Sequence, residues 1–288
     1  MVDAVFDSNA LFFRLKASNR YTPQVGGERI VQPILFQSNN SGIWYRGDDT
    51  LNTTMRNLNT AAEYTWAHFD IPIVVTFTDT IKNAGDPRIL SLVAVSIEGT
   101  ELSAADNLGT AIFSDGTNAK QPEGLQKAIQ TDQTVGGIAQ ATYSWWQAKE
   151  DAATTGLTLS AIRNVISDCT VDKARPTLLI GDRDMFDRVV DLVQPAQRFS
   201  DGDTAKAGFE NVMVSGVPMI VDSHMPAAGL YAINENYMKL CYSPEDNFKL
   251  YPFQMPINQR VLKASLGWSG AVVYSNLRLM GGLTGITS

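Results

Sequence analysis

Two strongly extended runs, Val31-Gln32-Pro33-Ile34-Leu35-Phe36 and Ile71-Pro72-Ile73-Val74-Val75-Thr76-Phe77, are separated by more than thirty residues rich in Asn and Thr. The runs are apolar and β-branched. Pro33 and Pro72 confine them to sheet edges or strand starts, because proline cannot donate to a ladder. The intervening stretch includes Ser38-Asn39-Asn40-Ser41-Gly42, Arg46-Gly47-Asp48-Asp49 and Asn52-Thr53-Thr54. A compact domain seldom carries so long a connection without a use for it. Its apolar residues, Ile43, Trp44, Tyr45, Tyr64 and Trp66, are spaced like the strands of a protruding hairpin. A lone two-stranded hairpin is marginal in water. Residues 30–78 are therefore expected to find their missing apolar partner in another copy of the chain, or else to be disordered. Ile43, Trp44, Tyr45, Arg46, Tyr64 and Trp66 are the candidate inter-subunit contacts. A segment that folded back onto its own subunit as a packed, self-sufficient layer would remove that expectation and any reading of the chain as a subunit that builds a larger assembly.

The clearest helix is predicted from about Pro87 to Phe113. Asp86 suits the N-cap and Pro87 the first helical position. Leu90, Val93, Ile97, Ala104, Leu108 and Ile112 form one stripe at helical spacing. At 1.5 Å per residue such a helix is roughly 40 Å long, the width of a whole domain. Gly99 interrupts it at a cost of about 1 kcal/mol relative to Ala, which fits either a closely packed neighbour or a bend point.

Residues 1–29, ending in Gly26-Gly27, read as an arm. Beyond Gly116 the pattern alternates between helix and strand. Thr158 caps a helix carrying Leu159, Ile162, Val165, Ile166 and Cys169 on one face. Pro176–Ile180 reads as a buried strand. Asp182 then caps a helix with Met185, Phe186, Val189, Val190 and Val193, which Pro195 stops. Val212–Val214 and Val217–Val221 flank Ser215-Gly216 as a hairpin. Short strands are predicted at 230–233, 238–242, 249–253, 261–266 and 271–275.

Little in the chain points to chemistry. Only two histidines, His68 and His224, occur in 288 residues, and neither has a Cys or His neighbour at zinc-ligand spacing. No metal or cofactor is expected. No G-x-S-x-G elbow is present. Asp222-Ser223-His224 reads as a turn. Gly181-Asp182-Arg183-Asp184 reads as a helix cap with a dipole-matched acid, not as a phosphate site. Trp145-Trp146 suits core packing or an interface anchor, and Gly281-Gly282 precedes no helix. Cys169 and Cys241 are too few for a disulfide framework and read as buried free thiols. The net charge of −7, from 23 basic and 30 acidic residues, lacks the basic excess of a protein that grips nucleic acid. No run approaches the ~20 apolar residues of a membrane span. The first residues lack the basic start of a secretory signal, so synthesis and folding in a cytosol are expected.

Several ordered segments resemble the major capsid proteins of tailed bacteriophages. They are Phe113-Ser114-Asp115-Gly116-Thr117 with Glu123-Gly124-Leu125, and Gly136–Thr142 before Trp145-Trp146. Further on come Gln194–Phe199 with Ala207–Asn211, Gly216–His224, Asn247–Leu250 with Pro256–Val261, and Trp268 through Ser275–Leu279 to Gly281–Ile286. The resemblance runs from about residue 28 to the end. At Ala139-Gln140 the sequence departs from the acidic-basic pair expected there.

The resemblance implies the α+β capsid fold shared by tailed phages and herpesviruses. Its parts would be an N-terminal arm (1–29), an extended β-hairpin loop (30–78), a peripheral domain with the spine helix (79–115), an axial domain (116–239) and returning peripheral strands (240–288). It also implies self-assembly into pentamers and hexamers of an icosahedral shell around double-stranded DNA, without sequence-specific DNA contacts. A separate scaffolding protein and a portal would be partners, since the short arm leaves no scaffolding segment. The shell would form in the host bacterial cytoplasm as part of the virion, without membrane attachment or catalysis. Two other readings stay open: the shell of a cellular nanocompartment, and an α/β enzyme using Asp182 or His224.

Overall fold

The computed structural model describes residues 9–50, 53–54, 56–82, 86–152, 156–193 and 211–286. Two sheets and two apolar cores organise them. The first sheet has four strands in the order β1-β12-β13-β4: β1 (Tyr21–Pro23), β12 (Met238–Gln254), β13 (Val261–Tyr274) and β4 (Ala67–Thr76). Its long β12–β13 hairpin replaces the four short strands predicted between 238 and 275. Pro244 and Pro252 lie within β12, which shifts register between Tyr242 and Asn247 and again after Tyr251. Bulges of this kind let proline sit in a strand without interrupting it.

The second sheet has six strands in the order β7-β14-β11-β8-β10-β9. They span Lys149–Ala152, Gly281–Thr284, Leu230–Ile233, Leu178–Gly181, Val217–Val221 and Asn211–Val214. Alternation along these strands feeds both cores. Leu178, Ile180, Ile220, Tyr231 and Ile233 face the larger core. Leu179, Met219, Leu230, Ala232 and Leu283 face a smaller one, beneath helices α5 (Leu159–Asp168) and α6 (Arg183–Val193). A strand buried on both faces reads as continuously apolar, which is why 178–180 stands out in sequence. Both helix starts are capped as their sequence predicts. Thr158 Oγ1 accepts from Ala161 N at 3.1 Å, and Asp182 Oδ1 accepts from Met185 N at 2.8 Å. Cys169 and Cys241 are both buried free thiols. Pro195, the tract 194–199 and 207–210 lie outside the described residues.

The long helix α3 spans Asp86–Ile112. Ala104, Leu108 and Ile112 are buried, whereas Val93 and Ile97 are half-buried and Leu90 lies outside the described side chains. Among the described side chains, those that anchor the helix lie in its C-terminal half.

Two segments differ from the sequence-based division. The described part of the presumed arm, from Asn9 on, packs into the subunit: helix α1 (Ala10–Ala17) buries Leu11, Phe12 and Leu15 in the larger core. Arg14 reaches buried Glu235 through Nε–Oε1 at 2.8 Å and a second bond at 3.0 Å, and Thr177 Oγ1 donates to Glu235 at 2.9 Å. Strand β1 then adds to the edge of the first sheet. The mixture of apolar and polar residues that suggested an arm is one amphipathic turn plus an edge strand. The C-terminus also crosses over, because β14 pairs with β7 and β11 in the second sheet, not among the returning strands. Gly281-Gly282 makes that insertion possible. A Cβ at Gly281 would lie 2.2 Å from the Lys149 carbonyl oxygen and 2.6 Å from Cys169 Sγ.

Candidate assembly surfaces

Strands β2 (Arg29–Leu35) and β3 (Asn59–Thr65) form a separate antiparallel hairpin. Its period-two alternation divides it into two faces. Ile30, Ile34, Ala62 and Tyr64 are buried against the larger core, while Val31 and Leu35 face outward. Tyr64 is only 1% exposed, and its hydroxyl donates to Tyr274 O at 2.9 Å and accepts from Tyr274 N at 3.2 Å. Burial pushes its phenol pKa well up. Tyr64 thus leaves the set of inter-subunit contacts, because its own core already encloses it. The expectation that all of 30–78 lacks a partner within the subunit is corrected here, and again at β4, which joins the first sheet through β13.

The loop that tops this hairpin is different. From Gln37 to Asn57 every described residue except Ser41 is exposed. Its internal bonds are local polar ones: Asn39 Oδ1 accepts from Ser41 N at 3.0 Å, Asp49 Oδ2 accepts from Arg46 N at 2.9 Å, and Arg56 Nε donates to Ser41 Oγ at 3.2 Å. Ile43, Trp44 and Tyr45 sit in this loop, not in the strands that their spacing suggested, and Trp44 is 104% exposed. Trp66 marks the base, where its indole Nε1 donates to Gly27 O at 2.9 Å. Three adjacent apolar side chains in water, on a loop without a core, form a surface that association would bury. A second such surface lies at the β12–β13 tip, where Met255 and Ile257 (103% exposed) flank Pro256. Val74, Phe77 and Ile81 expose a third, with Val95 and Leu102 exposed on helix α3.

Each of the two histidines joins a hydrogen-bonded cluster that contains a carboxylate. His68 Nδ1 lies 2.7 Å from Ser269 Oγ, which lies 2.5 Å from Asp246 Oδ2. Here the hydroxyl sits between acid and imidazole, whereas nucleophilic catalysis needs the imidazole between the other two. His224 contacts both Asp222 and Asp106. Asp222 Oδ1 also accepts from His224 N at 3.0 Å, so Asp222-Ser223-His224 is the Asx-type turn read from its sequence. Among the described residues, no three His, Cys, Asp or Glu side chains group as metal ligands, and no helix is long and apolar enough to cross a membrane.

No family model and no curated sequence matches the chain. Solved structures do. The cyanophage A-1(L) capsid subunit superposes with a TM-score of 0.64 at 15% identity, covering 94% of this chain and 91% of that one. The capsid of a native GTA particle gives 0.62 at 12% identity, with 92% and 88% covered. The chain has the tailed-phage capsid fold. The SrpI encapsulin of Synechococcus elongatus PCC 7942 shares it, with a TM-score of 0.58 at 11% identity and 93% and 85% covered.

Within this capsid fold, two features carry more structure than their sequence announced. Gln140 is fully buried. Its amide donates to Ala128 O and Gln130 O, both at 3.0 Å, and accepts from Ala148 N at 2.9 Å. A neutral side chain that satisfies three backbone groups replaces the charged pair expected at 139–140, and costs less to bury than an ion. The tryptophan pair divides its duties: Trp146 is in the core with Nε1 donating to Val135 O at 3.1 Å, while Trp145 is half-buried against Phe36, ring centroids 5.1 Å apart. At Gly99 a Cβ would meet nothing within 4 Å, so close packing within the subunit does not explain that glycine.

Proposed function

We propose that this chain is a major capsid protein that assembles through its own copies into a closed icosahedral shell around phage double-stranded DNA. The observation that carries the reading is the exposed Ile43-Trp44-Tyr45 cluster on a loop whose hairpin is rooted in the subunit core. A rigid base with an unpartnered apolar tip is suited to lie over a neighbouring subunit. The extended loop is then 29–65 instead of 30–78, and Ile43, Trp44, Tyr45, Arg46 and Trp66 remain its proposed contacts. The peripheral domain combines β1, β4, the spine helix and the β12–β13 hairpin. The axial domain is the six-stranded sheet with α5 and α6. Gly99 is proposed as a bend point of the spine: Thr100 Oγ1 donates to Ser96 O and Ser103 Oγ to Gly99 O, both at 2.8 Å, and such back-bonding favours bending. The subunit acts as a structural part without catalysis, in the virion, assembled in the bacterial cytoplasm with a separate scaffolding protein and a portal.

Electron microscopy of particles from cells expressing the chain with its neighbouring phage genes tests this. Closed shells that protect DNA from nuclease support it; a chain that stays monomeric at high concentration and never enters particles overturns it. A nanocompartment shell is the second reading, favoured by the superposition on an encapsulin. Shells filled with a cargo protein and free of DNA would select it.

A further inference from the structure

His224 stands where three elements meet: the turn after β10, the spine helix α3 and the N-terminal helix α1. Gly109 gives it room on the spine, since a Cβ there would lie 2.6 Å from the imidazole ring and 2.7 Å from Asn9 Nδ2. The ring is mostly covered, with 16% of the side chain exposed. Its Nε2 lies 3.0 Å from Asp106 Oδ1 on the spine helix. Its Nδ1 faces two groups at once, Asp222 Oδ1 at 3.2 Å and Asn9 Nδ2 at 3.3 Å.

These two partners make opposite demands. A carboxylate only accepts, and an amide NH2 only donates. The orientation of the Asn9 amide is fixed by its other end, because Oδ1 accepts from Leu11 N at 3.2 Å as the N-cap of α1. Nδ1 can therefore serve Asp222 only when it carries a proton, and Asn9 only when it does not. Nε2 keeps its proton, and its bond to Asp106, in both states. Asp222 is 4% exposed and, among the described residues, its Oδ2 has no hydrogen-bond partner, so its charge leans on the imidazole.

We propose that His224 is a proton-operated selector: as imidazolium it ties the spine helix to the axial domain through Asp106 and Asp222, and as neutral imidazole it moves its Nδ1 bond to Asn9 and ties the spine helix to α1. The step is a proton leaving Nδ1 to solvent, with an N–H···O bond exchanged for an N–H···N bond. The charged groups facing the ring are Asp106 from the spine and Asp222 from the β10 turn. From α1 it is the neutral Asn9 that faces it, with Arg14 engaged by Glu235. The hydrogen bond to Asp222 is the largest influence on the ring, opposed by burial and aided by Asp106. The net effect holds the pKa above the ordinary histidine value, so the selector changes state on the alkaline side of about 6.5.

The test uses the full-length unassembled subunit, so its outcome is independent of whether shells form. In a His68→Gln background one histidine remains, and its ring signals can be followed by NMR through a pH titration. Asn9→Asp keeps the helix cap but replaces the donor with an acceptor. It is expected to raise the His224 midpoint by about half a pH unit or more, whereas Asp222→Asn lowers it. In wild type, hydrogen-exchange protection of Leu11–Leu15, corrected for intrinsic rates, should rise about fivefold above the midpoint, the size of one hydrogen bond. In His224→Gln it should be flat. An unmoved or lowered midpoint in Asn9→Asp, or protection of α1 independent of pH in wild type, overturns the proposal.

Discussion

Replacing Trp44 and Tyr64 one at a time with alanine separates folding from assembly, because the structure assigns these two aromatics of one segment to opposite environments. Trp44 is fully exposed, so Trp44→Ala removes no contact within the subunit, and exposed substitutions of this kind stay within about 0.5 kcal/mol. Tyr64 is 1% exposed and makes two hydrogen bonds to Tyr274, so Tyr64→Ala leaves a cavity and two unpaired backbone groups, costing about 3–5 kcal/mol. In an assembled shell the order reverses. A tryptophan that becomes buried removes roughly 150–250 Å² from water, a gross gain of about 4–6 kcal/mol, of which an anchor residue keeps about 2 after the costs of ordering. Each subunit would donate one tip and receive one. Losing about 2 kcal/mol per subunit therefore raises the concentration needed for assembly roughly 30-fold. Urea unfolding followed by circular dichroism gives the first quantity, and light scattering against subunit concentration gives the second. The reasoning is refuted if Trp44→Ala assembles at the wild-type concentration, or if it destabilises the isolated subunit by more than about 1 kcal/mol.

Further outcomes follow from single contacts. Gly281→Ala should destabilise the subunit by at least about 1–3 kcal/mol in the same urea assay, because its Cβ meets backbone that cannot yield. Gly99→Ala, at an exposed position with empty space around it, should instead stabilise the isolated subunit by about 0.5–1 kcal/mol and yield a straighter spine. Cryo-electron microscopy of immature and expanded particles would show whether expansion slows, and unchanged expansion would remove the bend point. The raised pKa of His224 means that its contribution to folding is complete at acid pH, below the unfolded value, and fades as pH climbs through the folded one. Subunit stability should decline across that window in wild type and not in His224→Gln, as measured by urea midpoints at each pH.

Helices α3, α5 and α6 and the strands at 178–181, 211–214, 217–221 and 230–233 were legible because local signals and tertiary packing agree there. The Thr158 and Asp182 caps, the Leu178–Ile180 run and the Ser215-Gly216 turn, with both residues at positive φ, each follow from short-range chemistry. What the sequence concealed is set by distant partners. Leu11, Phe12 and Leu15 are an ordinary short amphipathic stretch until Glu235 and the larger core arrive from the far end of the chain. The β12 and β13 strands run through prolines and glycines that mark breaks in isolation, because a bulged partner tolerates them.

The candidate surface was legible in its residues but not in its extent. Aromatic spacing alone grouped Tyr64 with Ile43, Trp44 and Tyr45, since nothing local distinguishes a tyrosine that will face a core from a tryptophan that will face water. Pairing between β2 and β3 makes that distinction, by fixing which alternate residues turn inward. The inward set then does something a free hairpin could not. Ile30, Ile34, Ala62 and Tyr64 anchor the base to the same core that holds α1 and the foot of the spine helix. A loop that must reach another subunit gains precision from such a root, because a tip on a mobile stalk would spend its binding energy on being ordered. Partial self-burial therefore strengthens the case for an assembly contact at Trp44: the base settles where the tip points, and the tip alone is left to find its partner.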